Sequence, residues 1–396
     1  MTARRSYPIQ VGVLGAGAMG SGIALVAAKA GHDVILADAE SRALGTARES
    51  IGKTLARDEE KGRLGSGAAK QVESKIHYVA ASKDATEFSG CGLVIEAIVE
   101  ELDAKRLAFA MLESAVDEGC VLATNTSSLS VAAIGAACRH PGRVIGLHFF
   151  NPAPVLPLVE VVGAISSDPA VVSNAAVMMD GWGKDAVTVR DTPGFIVNRV
   201  ARPFYGEALR IQEEGIADIA TIDWAMKELG GFRMGPFELM DLIGNDVNYA
   251  VTMSIFEAFY YDPRYRPSLT QRRMVEAGRL GRKSGIGYYD YGNGAKPPEH
   301  KSDRKLGGQI VDRILAMLIN EAADAAYLRI ASKEEIDTAM TKGVNYPKGL
   351  LAWGDEIGVR EVYRRMVALH DEYSDDRYRP SPLLRRHALS GERFYP

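Results

Sequence analysis

The chain has 396 residues, 46% of them hydrophobic and 25% charged, an ordinary globular composition too long for one typical core. Its formal charge of −4 comes from interspersed acidic and basic residues, so no broad basic face is expected to draw in nucleic acid or an anionic membrane. No stretch stays apolar long enough to cross a bilayer, and Met1 to Gln10 carry Arg4 and Arg5 without an apolar signal core, so a soluble cytoplasmic protein with a small-molecule partner is expected.

From Ile9 to about Val189, short β-branched runs alternate with alanine-rich stretches, the pattern of parallel strands joined by crossover helices. Strands are predicted at Gln10–Leu14, Asp33–Ala37, Leu93–Glu96, Val121–Thr124, Val144–Leu147 and Leu158–Val162. Directly after the first of them, Gly15-Ala-Gly17-Ala18-Met19-Gly20 opens a helical stretch. There Gly15 permits a tight turn, Gly17 lets backbone amides approach a pyrophosphate, and Gly20 lets helix and strand pack closely. Asp38 ends the second strand, where a carboxylate accepts both ribose hydroxyls and repels a 2'-phosphate; NAD is therefore expected as cofactor rather than NADP. Glycines alone also serve any tight turn, and it is the strand, helix and Asp38 together that favour a Rossmann-like reading.

Lys53, Arg57, Lys61 and Arg63 lie on a charged helical segment that either meets phosphates or is simply a solvated face. Cys91, Cys120 and Cys138 are widely spaced, odd in number and without metal-ligand spacing, so they read as buried thiols in a reducing compartment, and no metal site is expected. His148, in Leu147-His148-Phe-Phe-Asn151-Pro152, follows a late strand, where parallel sheets present their ligands. Twelve residues on, Glu160 is a lone carboxylate in the apolar run Leu158-Val-Glu-Val-Val162 and needs a partner. If the intervening loop folds back, Glu160 can orient the imidazole and raise its basicity, leaving the other ring nitrogen for a substrate hydroxyl. Each has a duller alternative: a structural histidine donor, and a carboxylate that caps a backbone or pairs with an arginine.

After Asp191-Thr192-Pro193 the pattern turns helical, with Thr192 a candidate cap and Pro193 suited to a first turn. A repeat follows at an offset of 114 residues, with Gly194-Phe-Ile-Val-Asn-Arg199 answered by Gly308-Gln-Ile-Val-Asp-Arg313. It runs on through Glu207-Ala208 and Glu321-Ala322, Asp223 and Asp337, and Gly244 and Gly358; then, one residue shorter, through Arg264-Tyr-Arg-Pro-Ser268 and Arg377-Tyr-Arg-Pro-Ser381. Gly292 to Asp303, rich in Gly, Pro and Lys, reads as an exposed linker between the copies. The expected architecture is an α/β Rossmann-like doubly wound sheet over residues 1–190, then two homologous all-α domains at 191–292 and 293–396.

Over almost its whole length the sequence resembles the L-3-hydroxyacyl-CoA dehydrogenases of fatty-acid β-oxidation. The residues that carry the resemblance are Gly15–Gly20, Glu96-Ala-Ile-Val-Glu100, Asn125-Thr-Ser127-Ser128, His148–Pro152, Glu160, Asp191–Arg199, Met234–Asp241 and Gly281–Tyr288. It implies that His148 and Glu160 form a catalytic dyad, that Ser127 and Asn198 hold the substrate around its hydroxyl and thioester carbonyl, and that Glu100, Lys105 and Asn125 lie near the cofactor. Ser and Asn donors suit that task, because they polarise a keto oxygen without supplying a competing base. Ser127 reads equally as a helix N-cap, and Asn198 as a packing amide. The resemblance also implies that the second helical copy serves as an internal pseudo-dimer partner in a form that lacks a preceding enoyl-CoA hydratase region. Asp312 stands at the position of Asn198, so no second active site is expected, and the second copy is expected to end without a counterpart of Leu280 to Tyr291. The competing readings are a dehydrogenase of a non-CoA hydroxy acid or sugar acid, and a non-catalytic NAD-binding structural protein.

Overall fold

The computed structural model describes residues 9–296 and 298–396, so the expectation about Arg4 and Arg5 lies outside the described residues. The chain divides into two compact units, residues 1–192 and 193–396.

The first unit is built on strands β1 (Gln10–Leu14), β2 (Asp33–Asp38), β3 (Ile76–Ala80), β4 (Leu93–Glu96), β5 (Val121–Thr124), β6 (Val144–Phe149), β7 (Leu158–Gly163) and β8 (Asp185–Arg190). They form one eight-stranded sheet in the order β3-β2-β1-β4-β5-β6-β7-β8. Helices α1 (Ala18–Lys29), α2 (Ser41–Glu60), α3 (Ala68–Glu73), α4 (Leu102–Ala115), α5 (Val131–Gly135) and α6 (Pro169–Gly181) accompany the sheet. A mostly parallel sheet covered by helices buries both strand faces, which is why Val11, Val13, Val94 and Ile95 are without exposure in uninterrupted apolar runs.

Two strands escaped the sequence reading, β3 and β8, and both are sheet edges whose polar positions face outward, as in the alternating pattern of β8. A second difference is directional: β7 runs antiparallel to β6, not parallel as the crossover pattern predicts. The eight residues from Phe150 to Pro157 are too few for a crossover helix and fold back as a hairpin instead.

The second unit is helical: α7 (Val197–Val200), α8 (Arg202–Glu213), α9 (Ile219–Trp224), α10 (Pro236–Ile243), α11 (Asn245–Ala258) and α12 (Leu269–Glu276), then α13 (Arg304–Tyr327), α14 (Lys333–Gly343), α15 (Leu350–Ile357), α16 (Val359–Tyr373) and α17 (Pro382–Ser390). Thr192 does not cap the first of them. That helix begins at Val197 after a turn in which Gly194 and Phe195 take φ values of +73° and +48°. The segment is diverted because the Asp191 carboxylate accepts from Val131 N and Ala132 N and from the Ser130 hydroxyl, all at the start of α5.

The copies use the same devices. Asp223 accepts from Phe237 N, Glu238 N and the Tyr289 hydroxyl, and Asp337 accepts from Leu351 N, Ala352 N and the Tyr395 hydroxyl. Asp241 holds Tyr288 N and Tyr289 N, while Asp355 holds Phe394 N and Tyr395 N. The second copy therefore does have a counterpart of the Leu280–Tyr291 segment, shortened to its last residues and so missed in the sequence.

Reciprocal buried ion pairs join the copies. Glu321 Oε1 accepts from Arg199 Nε at 2.6 Å and from the Tyr265 hydroxyl at 2.5 Å, with Arg264 Nη1 3.3 Å from its other oxygen. In the reverse direction Glu207 Oε2 accepts from Arg313 Nε and from the Tyr378 hydroxyl, each at 3.0 Å, with Arg377 Nη1 3.8 Å away. Residue i meeting j while j's counterpart meets i's is the signature of a twofold contact. No described helix is long and apolar enough to cross a membrane.

Candidate active site

The loop between β1 and α1 has the geometry a dinucleotide requires. Gly15 has φ +107°, and a Cβ there would lie 2.5 Å from Ala97 O; a Cβ on Gly20 would collide with the Gly15 carbonyl. Those two glycines are fixed by packing. Gly17 is not: a Cβ there meets nothing within 4 Å, so the open space above it, and not the fold, accounts for the glycine. Gly17 caps α1 without a side-chain hydrogen bond, so the first-turn amides, among them Ala18, Met19 and Gly20, have no side-chain acceptor at the cap. Such amides and the helix dipole suit a pyrophosphate. Asp38 holds the loop, accepting from Ala16 N at 2.7 Å on one oxygen and Glu40 N at 2.8 Å on the other; each oxygen keeps a lone pair for a ribose hydroxyl.

Beyond β4 and β5 lies a linked set of polar groups. Glu96, fully buried at the end of β4, accepts from Ile98 N and Lys105 Nζ on one oxygen and from Thr124 Oγ1 on the other. Lys105, only 1% exposed, reaches Glu96 at 2.6 Å and Glu100 at 3.2 Å. Glu100 Oε1 in turn accepts from Thr126 Oγ1 at 2.6 Å, Ser127 N at 3.0 Å and Ser128 Oγ at 3.0 Å. Burial pushes the Glu100 carboxyl up, but these hydrogen bonds and the Lys105 charge outweigh it and hold the group below its ordinary value. Ser127 thus sits on a loop tied down by a carboxylate, its Oγ 3.4 Å from Glu100 Oε1. It does not cap the next helix; Ser130 does, accepting from Ala133 N. Asn125 Oδ1 accepts from Phe149 N at 2.8 Å, tying the end of β5 to β6.

His148 and Glu160 are directly opposite in the antiparallel β6–β7 ladder. Facing side chains in such a pair meet without any special loop geometry. His148 Nδ1 lies 2.6 Å from Glu160 Oε2, with Glu160 fully buried and the histidine side chain 7% exposed. The Phe150 ring lies 4.4 Å from the imidazole, centroid to centroid. Glu160 thus pairs with the histidine, and the imidazole edge bearing Nε2 is the one turned from the carboxylate.

Asn198 belongs to the second unit, half-buried in α7, and its carbonyl accepts from Arg202 Nε. Its counterpart Asp312 pairs with Arg365 at 2.9 Å. Lys53 and Arg57 are exposed on α2, Lys61 follows it, and Arg63 pairs with Asp58. The three cysteines are buried, and burial pushes the Cys91 thiol up to about 12 and that of Cys138 to about 11, values of inert thiols. Sequence reasoning gave no role to Glu96, Thr124 or Thr126. Glu96 carried a signal like that of Glu160, a lone carboxylate in an apolar strand.

A mostly parallel sheet, a glycine loop opening onto a helix N-terminus, a carboxylate at the end of β2 and a buried His–Glu pair are the features of a dinucleotide-dependent oxidoreductase. Residues 10–192 match the model of the 3-hydroxyacyl-CoA dehydrogenase NAD-binding domain, and residues 194–291 and 308–393 each match that of the C-terminal domain. The chain is 38% identical to a 3-hydroxyadipyl-CoA dehydrogenase of Escherichia coli K12, over 96% of this chain and 97% of that protein. It is 40% identical to a 3-hydroxybutyryl-CoA dehydrogenase of Bradyrhizobium diazoefficiens, over 73% of this chain and 97% of the relative. The crystal structure of 3-hydroxybutyryl-CoA dehydrogenase from Escherichia coli K12 superposes with a TM-score of 0.91 at 38% identity, covering 97% of this chain and 99% of the other. The chain belongs to the 3-hydroxyacyl-CoA dehydrogenase family and is an NAD-binding oxidoreductase.

Proposed function

We propose that His148 is the acid/base of the reaction, the oxidation of an L-3-hydroxyacyl-CoA to the 3-ketoacyl-CoA in β-oxidation or a related acyl-CoA pathway, and that Glu160 positions it. The observation that carries this is the 2.6 Å contact between His148 Nδ1 and a fully buried Glu160 carboxylate. NAD, held by the Gly15–Gly20 loop and Asp38, would supply the acceptor for the hydride that leaves C3 of the substrate. His148 takes the hydroxyl proton at Nε2, and Glu160 holds the ring and balances the positive charge that forms. Ser127 and Asn198 are the donors to the substrate oxygens. Lys105 acts through Glu100, fixing the loop that carries Ser127, and Gly15, Gly17, Ala18, Met19, Gly20, Asp38 and Asn125 form the cofactor surface.

The second helical copy stands in for a partner subunit; the reciprocal Arg199–Glu321 and Arg313–Glu207 pairs support that reading. Cytoplasmic residence fits the buried thiols. Relatives named for 3-hydroxybutyryl and 3-hydroxyadipyl chains leave two substrate classes, a short monocarboxylic chain and a six-carbon dicarboxylic one. Rates of NAD reduction with a panel of L-3-hydroxyacyl-CoA thioesters test the reading. Turnover is expected to fall about 10²–10⁴-fold in His148→Gln with little change in NAD affinity; a variant as active as the parent would overturn it.

A further inference from the structure

The first helical copy holds a buried polar cluster that its duplicate lacks. Arg202, Asn248, Thr252 and Gln271 are all buried, and at the corresponding positions the second copy has Ala316, Val362, Met366 and Leu384, buried as well. Since the copies share helix order, aspartate caps and ion pairs, apolar residues satisfy the fold at these four places. The polar set has another reason.

Arg202 is the centre of the cluster. Its Nε donates to Asn198 O at 2.8 Å, its Nη1 to Thr252 Oγ1 at 3.1 Å, and the guanidinium lies 5.0 Å from the centroid of Tyr205. Gln271 Nε2 donates to Asn248 Oδ1 at 2.6 Å and to the same Thr252 hydroxyl at 3.3 Å, fixing the group that meets Arg202. Arg202, Tyr205, Thr252 and Gln271 border a narrow cleft of about 20 Å³. Four other arginines border it, and all have acids: Arg264 has Glu321 and Asp324, Arg377 and Arg210 have Glu207, and Arg266 has Asp375. Arg202 pairs with no carboxylate among the described residues, and burial holds it below its ordinary value. A buried cation without a counter-charge is costly, and a fold that accepts alanine at the same place gains nothing from it.

We propose that Arg202 receives the far carboxylate of a dicarboxylic 3-hydroxyacyl chain and so selects that class over monocarboxylic chains of equal length. This rests on the reading of Asn198 as a substrate contact. Arg202 follows Asn198 by four residues, one helical turn of about 5 Å. In a six-carbon dicarboxylic chain the second carboxylate lies three bonds beyond C3, a span of about 4 Å. The guanidinium fork offers paired donors that match a carboxylate.

Initial rates with L-3-hydroxyadipyl-CoA and L-3-hydroxyhexanoyl-CoA of the same C3 configuration, which differ only at C6, test the assignment. The parent enzyme is expected to favour the dicarboxylic substrate. Arg202→Met should lower the ratio of the two kcat/KM values ~30-fold or more, with Arg202→Lys between the two. The Tm of Arg202→Met should rise, because an unpaired buried charge is gone, and that rise separates lost recognition from lost folding. A parent ratio near one, or a ratio that Arg202→Met does not move, overturns the assignment and leaves the dehydrogenase reading intact. Failure of the parent to oxidise either thioester overturns that reading and the inference with it.

Discussion

Glu160→Gln separates the two services that the proposed dyad assigns to Glu160, orientation and charge. Glutamine has nearly the same shape, and its amide oxygen still accepts from Nδ1, so the 2.6 Å contact and the ring position persist. What disappears is the negative charge facing the imidazolium that forms when the substrate loses its proton. Two unit charges about 4 Å apart at an effective dielectric near 20 attract by about 4 kcal/mol, the appropriate order for a pair as buried as this one. Spread over the transition state, where proton transfer is partial, half to all of that energy corresponds to a fall in kcat of about 30- to 10³-fold. Steady-state rates with saturating NAD and thioester measure it, and the KM for NAD should be little changed. A kcat within about threefold of the parent would refute the role of the carboxylate charge and reduce Glu160 to a packing residue.

Asp38 is expected to exclude NADP through its charge. Asp38→Asn keeps an acceptor for Ala16 N and should reduce the NAD-over-NADP preference about tenfold or more, and an unchanged ratio of kcat/KM values would place discrimination elsewhere. Glu321→Gln should cost about 3–5 kcal/mol at neutral pH, because it leaves Arg199 and Arg264 buried without their counter-charge. Burial pushes the Glu321 carboxyl up, but the two arginines and Tyr265 outweigh it and hold it below its ordinary value, so its stabilisation is present above the unfolded carboxylate pKa of about 4.3. It is lost as pH falls through the lower folded value, and calorimetric Tm should therefore decline more steeply in acid for the parent than for Glu321→Gln; parallel declines would contradict the assignment.

The interior strands were legible in the sequence because burial on both faces demands unbroken β-branched runs, and the edge strands β3 and β8 were not, since an edge tolerates His77, Asp185 and Arg190. Direction was hidden for a different reason. A strand's side chains give no sign of whether its neighbour runs with it or against it, and only the short Phe150–Pro157 connection could have marked β7 as antiparallel. That same reversal sets His148 opposite Glu160, so the pairing read from a lone histidine and a lone glutamate owes its geometry to a feature the strand pattern did not contain. The Glu96–Lys105–Glu100 chain, buried at its first two members, was beyond reach because a lysine in an otherwise ordinary helix looks solvated until its partners are known. The Arg202 cluster was missed because the repeat was read for its matches, whereas the information lay in four mismatches on the buried face.

Those mismatches have a counterpart on the outside. Leu242 and Val247 of the first copy are 49% and 45% exposed, and the second copy has Glu356 and Glu361 in their places, paired with Lys348 and with Arg364 and Arg365. At these positions the second copy follows the ordinary binary pattern, apolar within and charged without, while the first inverts it. Drift alone gives no reason for paired inversions, because each one costs stability: exposed apolar area outside, an unpaired cation within. The contacts that both copies must supply to each other, Arg199 with Glu321 and Arg313 with Glu207, have meanwhile stayed alike. Departure from local rules in one copy, with its duplicate as an internal control, is expected where a ligand rather than the fold sets the residue. That criterion supports the proposal that the first copy carries the substrate side of the helical unit and the second the surface it presents to the first.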